Sequence, residues 1–342
     1  MLSVDTREPT MDTAQARALD ALDARAVFGS TMEELAKQYE DLRVVVSDYG
    51  RRLELGKLQA QHPDMVVQCG IAEQNQIEIA SALANEGSLV FAASYAPFIT
   101  ARVLDQIRVN LGMMKSPVIL VGLGGGFSSG ELGTSHMGLE DIADLRAIPG
   151  ISVIAPSDNA QLSLVLKDLA QHPRPCYVRI TTGHDAIAAS SEGTRFDFGK
   201  ARTLKAFDTG KPHSVAILAT GTLAGSALRA AHQLTDQSIN ICVVEVATIK
   251  PLDTAAIASL THGVRLIVTV EEHSIIGGLG GAVAEYLAGI PAGAPLLRLG
   301  VPDTYLEADV QEHLLERCGL TADGIAQAIS AALVKQSAPS LR

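Results

Sequence analysis

Glu73 is the residue whose type and position most strongly suggest chemistry. It falls in the first turn of a helix predicted from Ile71 to about Glu86. Apolar residues follow it on the same face of that helix, namely Ile77, Ala80 and Ala84. A carboxylate on a buried face is costly without a specific partner, and burial favours its protonated form. Glu73 is therefore suited to sharing a proton near neutral pH, although a carboxylate here could also serve only the helix dipole.

Other side chains that can bind ligands or move protons lie near the ends of predicted strands. Ser47 and Asp48 end a strand at 43–47, where open α/β sheets gather their ligand-binding loops, so both could line a substrate channel. Arg179 lies near the end of another strand, where a salt bridge is the ordinary role. His136 lies in a glycine-rich loop, and a neutral imidazole can both donate and accept a hydrogen bond.

Two glycine-rich loops lack the spacing of a nucleotide-binding site. Residues 122–126 follow a predicted strand, and residues 277–281 precede a predicted helix. Neither loop has the GxGxxG pattern or the lysine and hydroxyl residue of a P-loop. The glycines could form tight turns or let the backbone approach a ligand, and the sequence leaves both interpretations open.

Predicted strands alternate with predicted helices along most of the chain. The strands are continuous apolar runs, which favours a parallel sheet covered by helices on both faces. They are expected at 43–47, 88–93, 117–121, 152–155 and 176–180, and then at 214–219, 240–245, 264–270 and 296–300. Helical periodicity also predicts one helix over 16–40 and another over 97–112.

This alternation is interrupted once, and the interruption divides the chain into two domains. Residues 1–15 are expected to form a polar tail, and residues 16–182 a first α/β domain. Residues 183–212 are rich in glycine, serine, threonine and charge, and are interpreted as a linker. Residues 213–342 are then a second α/β domain.

Composition excludes several classes of partner. The chain has 342 residues and a formal net charge of −11, with no run of lysine or arginine, so neither nucleic acid nor an anionic membrane is an expected partner. No apolar stretch approaches the ~20 residues that span a bilayer, and the polar start is unlike a signal peptide. The four cysteines, Cys69, Cys176, Cys242 and Cys318, form no zinc-binding pattern. Scattered thiols of this kind are typical of a reducing cytoplasm, where the protein is expected.

Several motifs, met in order along the chain, resemble the transketolase family. The string GIAEQNQIEIASALANEG at 70–87 resembles the segment of transketolases and deoxyxylulose-phosphate synthases that carries their pyrimidine-binding glutamate. The string SYAPF at 94–98, followed by LDQIR at 104–108, resembles the family's aromatic pocket, and Phe98 lies 25 residues after Glu73.

The resemblance continues further along the chain. The string GELGTSH, which ends at His136, is similar to the family's substrate loop, and LEDIADLRAIPGISVIAPSD at 139–158 is close to the family consensus. The segment from Glu271-Glu272-His273 to Gly281 resembles the signature of the family's C-terminal domain, although it gives His273 no defined role. The resemblance covers roughly residues 25 to 335.

The family resemblance implies a pyrimidine-binding domain followed by a transketolase C-terminal domain. It implies that Glu73 hydrogen-bonds the aminopyrimidine of thiamine diphosphate and is catalytic, and that the cofactor transfers a two-carbon ketol unit from a ketose to an aldose. Tyr95 and Phe98 would stack on the pyrimidine, and Arg102 would reach the same ring. His136 would contact the donor hydroxyl and move protons there.

The resemblance also implies a substrate site, and the sequence departs from the family there. Arg179 matches a position at which relatives bind an acceptor phosphate. Leu132 stands where many transketolases have an aspartate that contacts an acceptor hydroxyl, and Gly124 stands about where some relatives have a phosphate-binding histidine. The expected substrate is therefore a sugar phosphate or another anionic sugar, such as a branched sugar phosphate or a sulfonated sugar.

One part of the family's machinery is missing from this sequence. The GDG motif, which carries Mg²⁺ for the diphosphate, does not occur in the chain. The resemblance therefore implies a separate N-terminal transketolase subunit that binds the diphosphate and Mg²⁺, with two copies of each chain in an α2β2 assembly. Two alternatives stay open: the β subunit of a 2-oxo-acid dehydrogenase or decarboxylase, and a non-catalytic module that only binds a partner.

Overall fold

A short strand pair joins the segment before the first domain to the segment after it. The computed structural model describes residues 10–48, 50, 52–182, 194–261, 263–290 and 293–337. Strand β1 (Thr10–Met11) pairs antiparallel with β8 (Thr194–Arg195), so a stretch expected as tail contacts one expected as linker. The remainder of those two expected segments, at 1–9 and 183–193, lies outside the described residues.

The larger sheet confirms the expected parallel α/β architecture. Its strands are β2 (Leu42–Val46), β3 (Val66–Gln68), β4 (Leu89–Tyr95), β5 (Ile119–Leu123), β6 (Ser152–Ile154), β7 (Cys176–Ile180) and β12 (Thr248–Lys250). Within the described ranges the sheet has seven strands in the order β12-β6-β7-β5-β4-β2-β3, and only β12 runs antiparallel to its neighbour. The central strands are mostly apolar because they are buried on both faces.

Helices cover both faces of this sheet. They are α1 (Thr13–Asp20), α2 (Ala24–Ala36), α3 (Gly56–Gln61), α4 (Glu73–Asn85), α5 (Ala96–Ile99), α6 (Leu104–Ile107), α7 (Asp141–Arg146) and α8 (Asn159–Gln171). The apolar residues of α2 and α8 share one core cluster, and those of α4 and α7 share the cluster on the opposite face. The faces of the sheet are thus filled by small and branched side chains.

Two helices that were predicted as continuous in the first domain are each interrupted. The helix expected over 16–40 is two helices, because Asp23 accepts a 2.9 Å hydrogen bond from the Arg25 amide and so caps a new helix. The helix expected over 97–112 is interrupted at Thr100, which has φ −122° and ψ −87°. After α5 the chain forms a 3-10 turn at Ala101–Val103, then α6, then a π-helical turn at Arg108–Met113. This interruption lets the segment carry side chains toward the edge of the sheet as well as into the core.

The second domain is built on a smaller sheet. Its strands are β9 (Arg202–Lys205), β10 (Val215–Ala219), β11 (Ile241–Glu245), β13 (Leu266–Ser274) and β14 (Leu296–Val301). They lie in the order β14-β13-β10-β11-β9, with β9 antiparallel to β11. Its helices are α9 (Leu223–Asp236), α10 (Thr254–Thr261), α11 (Leu279–Leu287), α12 (Gln311–Arg317) and α13 (Ala322–Ser337).

The two domains share backbone pairing. Strand β12 comes from the second half of the chain, yet it pairs with β6 at the edge of the larger sheet. Strand β9 lies within the expected linker, yet it belongs to the smaller sheet. The local sequence pattern missed both strands because their partners are distant in the chain.

None of the helices in the described ranges is long and apolar enough to cross a membrane. The same residues contain no cluster of three or more histidine, cysteine, aspartate or glutamate side chains arranged to hold a metal ion.

Candidate active site

The candidate site lies where neighbouring parallel strands of the larger sheet end together. Strands β2, β4, β5 and β7 are adjacent, so the residues at their carboxyl ends meet at one edge. Those residues include Ser47, Tyr95, Gly124 and Thr181. Helix α4 begins beside the same edge and brings Glu73 to it.

Glu73 is the first residue of α4 and is only 4% exposed. The predicted apolar face is confirmed, because Ile77, Ala80 and Ala84 are buried. Oε1 of Glu73 lies 3.3 Å from Ser47 Oγ, and its Oε2 accepts a 2.9 Å hydrogen bond from Arg102 Nη1. The Arg102 side chain is 43% exposed, so this side of the carboxylate faces the open part of the site.

An aromatic pair stands next to this carboxylate. The rings of Tyr95 and Phe98 meet edge to face, with centroids 5.7 Å apart. The guanidinium carbon of Arg102 lies 3.8 Å from the Phe98 ring centroid. The planar guanidinium of Arg102 therefore packs against the Phe98 ring while it donates a hydrogen bond to Glu73. The Glu73 carboxyl group and the Phe98 ring together suit a flat heteroaromatic ring that carries a ring nitrogen.

His136 completes this group. It lies in the segment from Gly124 to Gly138, hereafter the histidine loop. The His136 ring centroid is 5.5 Å from that of Tyr95 and 5.2 Å from that of Phe98, and Ser135 Oγ lies 3.0 Å from His136 Nδ1. Glu73, Tyr95, Phe98, Arg102 and His136, all expected site residues, are thus brought together by β4, α4, α5 and the histidine loop.

Two cations that the sequence analysis missed lie beside Tyr95. Arg52 Nη1 donates a 3.0 Å hydrogen bond to the Tyr95 hydroxyl. Arg25 is held by a two-point contact with Asp23, at 2.7 and 2.9 Å. Both line a cavity of about 180 Å³ together with Asp23, Tyr95, Leu123, Gly124, Ser128, Ser129, Ile180 and Thr182. No local spacing marks Arg25 and Arg52 as a pair, because one starts α2 and the other follows β2.

Two further expected residues have more specific surroundings than predicted. Ser47 is 2% exposed, and its hydroxyl contacts Glu73 and Ser94, so in this structure it lies behind the carboxylate instead of lining a channel. Asp48 is exposed and has a positive φ of 54°, with its amide bonded to Gln68. Asp48 therefore occupies a strained turn at the site edge.

Arg179 is buried and engaged within the protein. Its Nε donates a 2.8 Å hydrogen bond to Asp141 Oδ2, and one terminal nitrogen donates to the carbonyls of Gly138 and Glu272. Arg179 therefore makes the salt bridge that is ordinary at a strand end, with a side chain that is only 2% exposed.

Gly124 and Leu132, the two departures from the family pattern, both lie in the histidine loop. Gly124 has φ +70°, and a Cβ atom built on it would lie 2.9 Å from Ser129 Oγ and 3.2 Å from Tyr95 Cδ1. A side chain at this position would be strained by the positive φ and would require Ser129 or Tyr95 to shift. Leu132 lies on a 3-10 turn of the histidine loop and is 54% exposed.

Buried charged groups of β13 lie beneath the histidine loop. Burial raises the pKa of Glu271 to about 7, and burial also raises the pKa of Glu272. His273 is fully buried, and burial lowers its pKa to about 4, against the opposing effect of Asp141. Its Nε2 accepts a hydrogen bond from the Ala143 amide at 3.3 Å, and its Nδ1 lies 2.7 Å from the Ser274 carbonyl. His273 is thus a neutral structural histidine at the contact between the domains.

Comparison with known proteins gives the same domain order. Residues 20–184 match the family model described as "Transketolase, pyrimidine binding domain", and residues 205–325 match "Transketolase, C-terminal domain". The chain is 35% identical over 303 residues to one of the subunits of the apulose-4-phosphate transketolase of Phocaeicola vulgatus, covering 88% of this chain and 94% of that relative. It is 34% identical over 304 residues to a 6-deoxy-6-sulfo-D-fructose transketolase subunit of a Clostridium species, covering 89% and 92%.

A solved structure agrees in fold over nearly the whole chain. A split gene transketolase, described as an inactive beta4 tetramer, superposes with a TM-score of 0.79 at 31% sequence identity. The match covers 92% of this chain and 98% of that one. The chain therefore belongs to the transketolase family, of which it carries the pyrimidine-binding domain and the C-terminal domain.

Proposed function

We propose that this chain is the C-terminal subunit of a split, thiamine-diphosphate-dependent transketolase, and that it works in the cytoplasm with a separate N-terminal subunit. The observation that carries the proposal is the convergence of a buried carboxylate, an aromatic pair and a histidine at one sheet edge. When bound, the cofactor supplies the nucleophilic carbon and the electron sink for two-carbon transfer.

In this proposal Glu73 holds a proton at the pyrimidine N1′ atom. Its Oε2 faces the open part of the site, and its Oε1 is fixed by Ser47, so the carboxyl group has one defined direction in which to share a proton. Tyr95 and Phe98 fix the plane of the ring. Arg102 makes contacts with Glu73 and Phe98 that the ring would share, so its guanidinium must shift or remain at the ring's edge.

We assign His136 to proton movement at the substrate hydroxyls, because it stands beside the aromatic pair on the side of the histidine loop. The substrate is an anionic ketose, with its anionic end in the cavity beside Arg25 and Arg52. Asp23 lines the same cavity, so the two arginines leave one net positive charge there. The two named relatives act on a sugar phosphate and on a sulfonated sugar, which supports an anionic substrate without choosing between them.

The diphosphate and Mg²⁺ are assigned to the partner subunit. This chain has no GDG motif, and its described residues offer no metal-binding cluster. We propose an assembly of two copies of each chain, with the cofactor held across the interface between them.

The test combines this chain with a GDG-containing partner, thiamine diphosphate and Mg²⁺, and measures ketol transfer from ketose phosphates and sulfonated ketoses. We expect activity from the mixture and none from either chain alone. Glu73→Gln should lower kcat by about 10²- to 10⁴-fold, because the amide cannot exchange a proton with the ring. Glu78→Gln is the matched control, since Glu78 lies on the exposed face of the same helix.

Three results would contradict the proposal. Near-normal turnover by Glu73→Gln would remove the role of the carboxyl group. Full activity of this chain alone would remove the need for a partner. Release of carbon dioxide from pyruvate or a branched oxo acid, without ketol transfer, would favour the 2-oxo-acid dehydrogenase alternative.

A further inference from the structure

The histidine loop is closed at its base by backbone pairing. The Gly126 amide donates a 2.8 Å hydrogen bond to the Gly138 carbonyl, and the Gly138 amide donates a 3.0 Å bond back to the Gly126 carbonyl. His136 lies two residues before this closure. The position of the base therefore determines where the imidazole can lie relative to Tyr95 and Phe98.

A carboxylate from the other domain binds this base directly. Glu272 lies on β13 of the smaller sheet and is 2% exposed. Its Oε1 accepts a 2.7 Å hydrogen bond from the Phe127 amide and a 2.9 Å bond from Gln311 Nε2. Its Oε2 accepts a 3.3 Å bond from Thr222 Oγ1. One carboxylate thus joins the histidine loop to two elements of the second domain.

The fit around this carboxylate leaves the loop base little room to move. A Cβ atom built on Gly126, which has φ +64°, would clash with Glu272 Oε1. The next side chain, Phe127, is fully buried within the core cluster of the second domain. The loop base is therefore seated in the second domain, although its chain segment belongs to the first.

Helix α12 holds the outer part of the same loop. A Cβ atom on Gly130 would lie 2.6 Å from the Asp309 carbonyl and would clash with Leu314 Cδ1. Gln311 Nε2 also donates a 3.0 Å hydrogen bond to the carbonyl of Thr182, which lines the cavity beside Arg25 and Arg52. The second domain thus contacts the loop both at its base and along its outer side.

We propose that Glu272 is a positioning residue that fastens the histidine loop to the C-terminal domain and so holds His136 against Tyr95 and Phe98. The catalytic part of this proposal rests on the role assigned to His136 above. It gives the C-terminal domain a task in the reaction, which is to fix the position of the imidazole.

The neighbouring residue provides a matched control. Glu271 is equally buried, on the same strand, but it accepts hydrogen bonds of 2.6 and 2.7 Å from the amides of Leu279 and Gly280. Those contacts stay within the second domain. Glu271→Ala and Glu272→Ala therefore remove similar groups from opposite sides of one strand, and only the second touches the histidine loop.

Hydrogen exchange of the full chain, followed by mass spectrometry, tests the fastening without any activity assay. Glu272→Ala should raise exchange in peptides covering 124–138 and leave 279–287 unchanged, and Glu271→Ala should do the reverse. Unchanged exchange at 124–138 in Glu272→Ala would overturn the proposal. If either alanine variant does not fold, methionine variants at both positions give the same comparison, because methionine is close to glutamate in size and lacks the carboxylate that accepts these bonds.

Turnover with the partner subunit tests the catalytic consequence. Glu272→Ala should lower kcat by about 10- to 100-fold with a smaller change in KM, because a misplaced imidazole loses transition-state contact. Glu272→Gln should restore most of kcat, since its amide oxygen can still accept from Phe127. Equal kcat losses in Glu272→Ala and Glu271→Ala would overturn the positioning role. A wild-type protein inactive with every ketose would instead contradict the proposed function, while the exchange experiment would still decide the fastening.

Discussion

The buried pair of Arg179 and Asp141 allows a prediction whose magnitude follows from the structure. The side chains are 2% and 0% exposed, with Nε and Oδ2 2.8 Å apart. The Tyr177 hydroxyl donates a 2.6 Å bond to the same Oδ2. Asp141→Asn keeps the size of the side chain and an oxygen that can accept, but it leaves the guanidinium charge buried without its counter-charge. Breaking such a pair costs about 3 to 5 kcal/mol, so we expect a loss of this size in the free energy of unfolding.

Urea titration of the isolated chain at neutral pH, followed by circular dichroism, measures this loss. Asp144→Asn is the control, because Asp144 lies on the same helix as Asp141. Burial and the nearby charges of Asp141 and Glu140 raise the pKa of Asp144 to about 6, so neutralising it should cost less than about 0.5 kcal/mol or stabilise the protein slightly. A loss below about 1 kcal/mol for Asp141→Asn would refute the reasoning.

Two further predictions concern the other titratable groups. His136→Ala should lower kcat by about 10²- to 10⁴-fold in the two-chain enzyme with little change in the urea midpoint, and retained turnover would exclude a proton-transfer role. The pKa of Glu271 is raised from 4.5 to about 7, so the contribution of Glu271 to stability grows as the pH falls from about 7 to 4.5. The pKa of His273 is lowered from 6.5 to about 4, so the contribution of His273 to stability is lost as the pH falls from 6.5 to about 4. In urea titrations between pH 7 and about 4.5, Glu271→Gln should make the loss of stability on acidification steeper than in the wild type, and His273→Gln should make it shallower. Identical pH profiles of both variants and the wild type would contradict this assignment.

Local patterns in the sequence were sufficient for the central strands of both sheets and for the face of α4. Most residues of the central strands are apolar because both faces of each strand are covered, and this pattern is visible in consecutive residues. The apolar face behind Glu73 follows from helical spacing alone. These features could be predicted because their cause lies within one element.

Features that depend on distant partners could not be predicted in this way. The interruption at Thr100 and the cap at Asp23 lie inside stretches whose periodicity is helical throughout. The contact of Glu272 with Phe127 joins residues 145 positions apart in the chain. The placement of Arg25 beside Arg52 likewise arises only when α2 and the turn after β2 meet at the sheet edge. The motif predicts the histidine loop, but no local pattern predicts that Phe127 of this loop packs into the core of the second domain.

The domain boundary in the sequence differs from that in the fold, because strand β12 lies in the second half of the chain but pairs with the larger sheet of the first domain. A piece ending near residue 182 would keep β6 but lose the strand that covers its outer side. The unpaired amides and carbonyls of that edge would then be open to pairing with another molecule, which is a common route to aggregation. Lys250 adds to the closure, because its ammonium group donates to the carbonyls of Arg146 and Ile148 at the end of α7. The second half of the chain thus covers an edge of the larger sheet that would otherwise be open to pairing with another molecule.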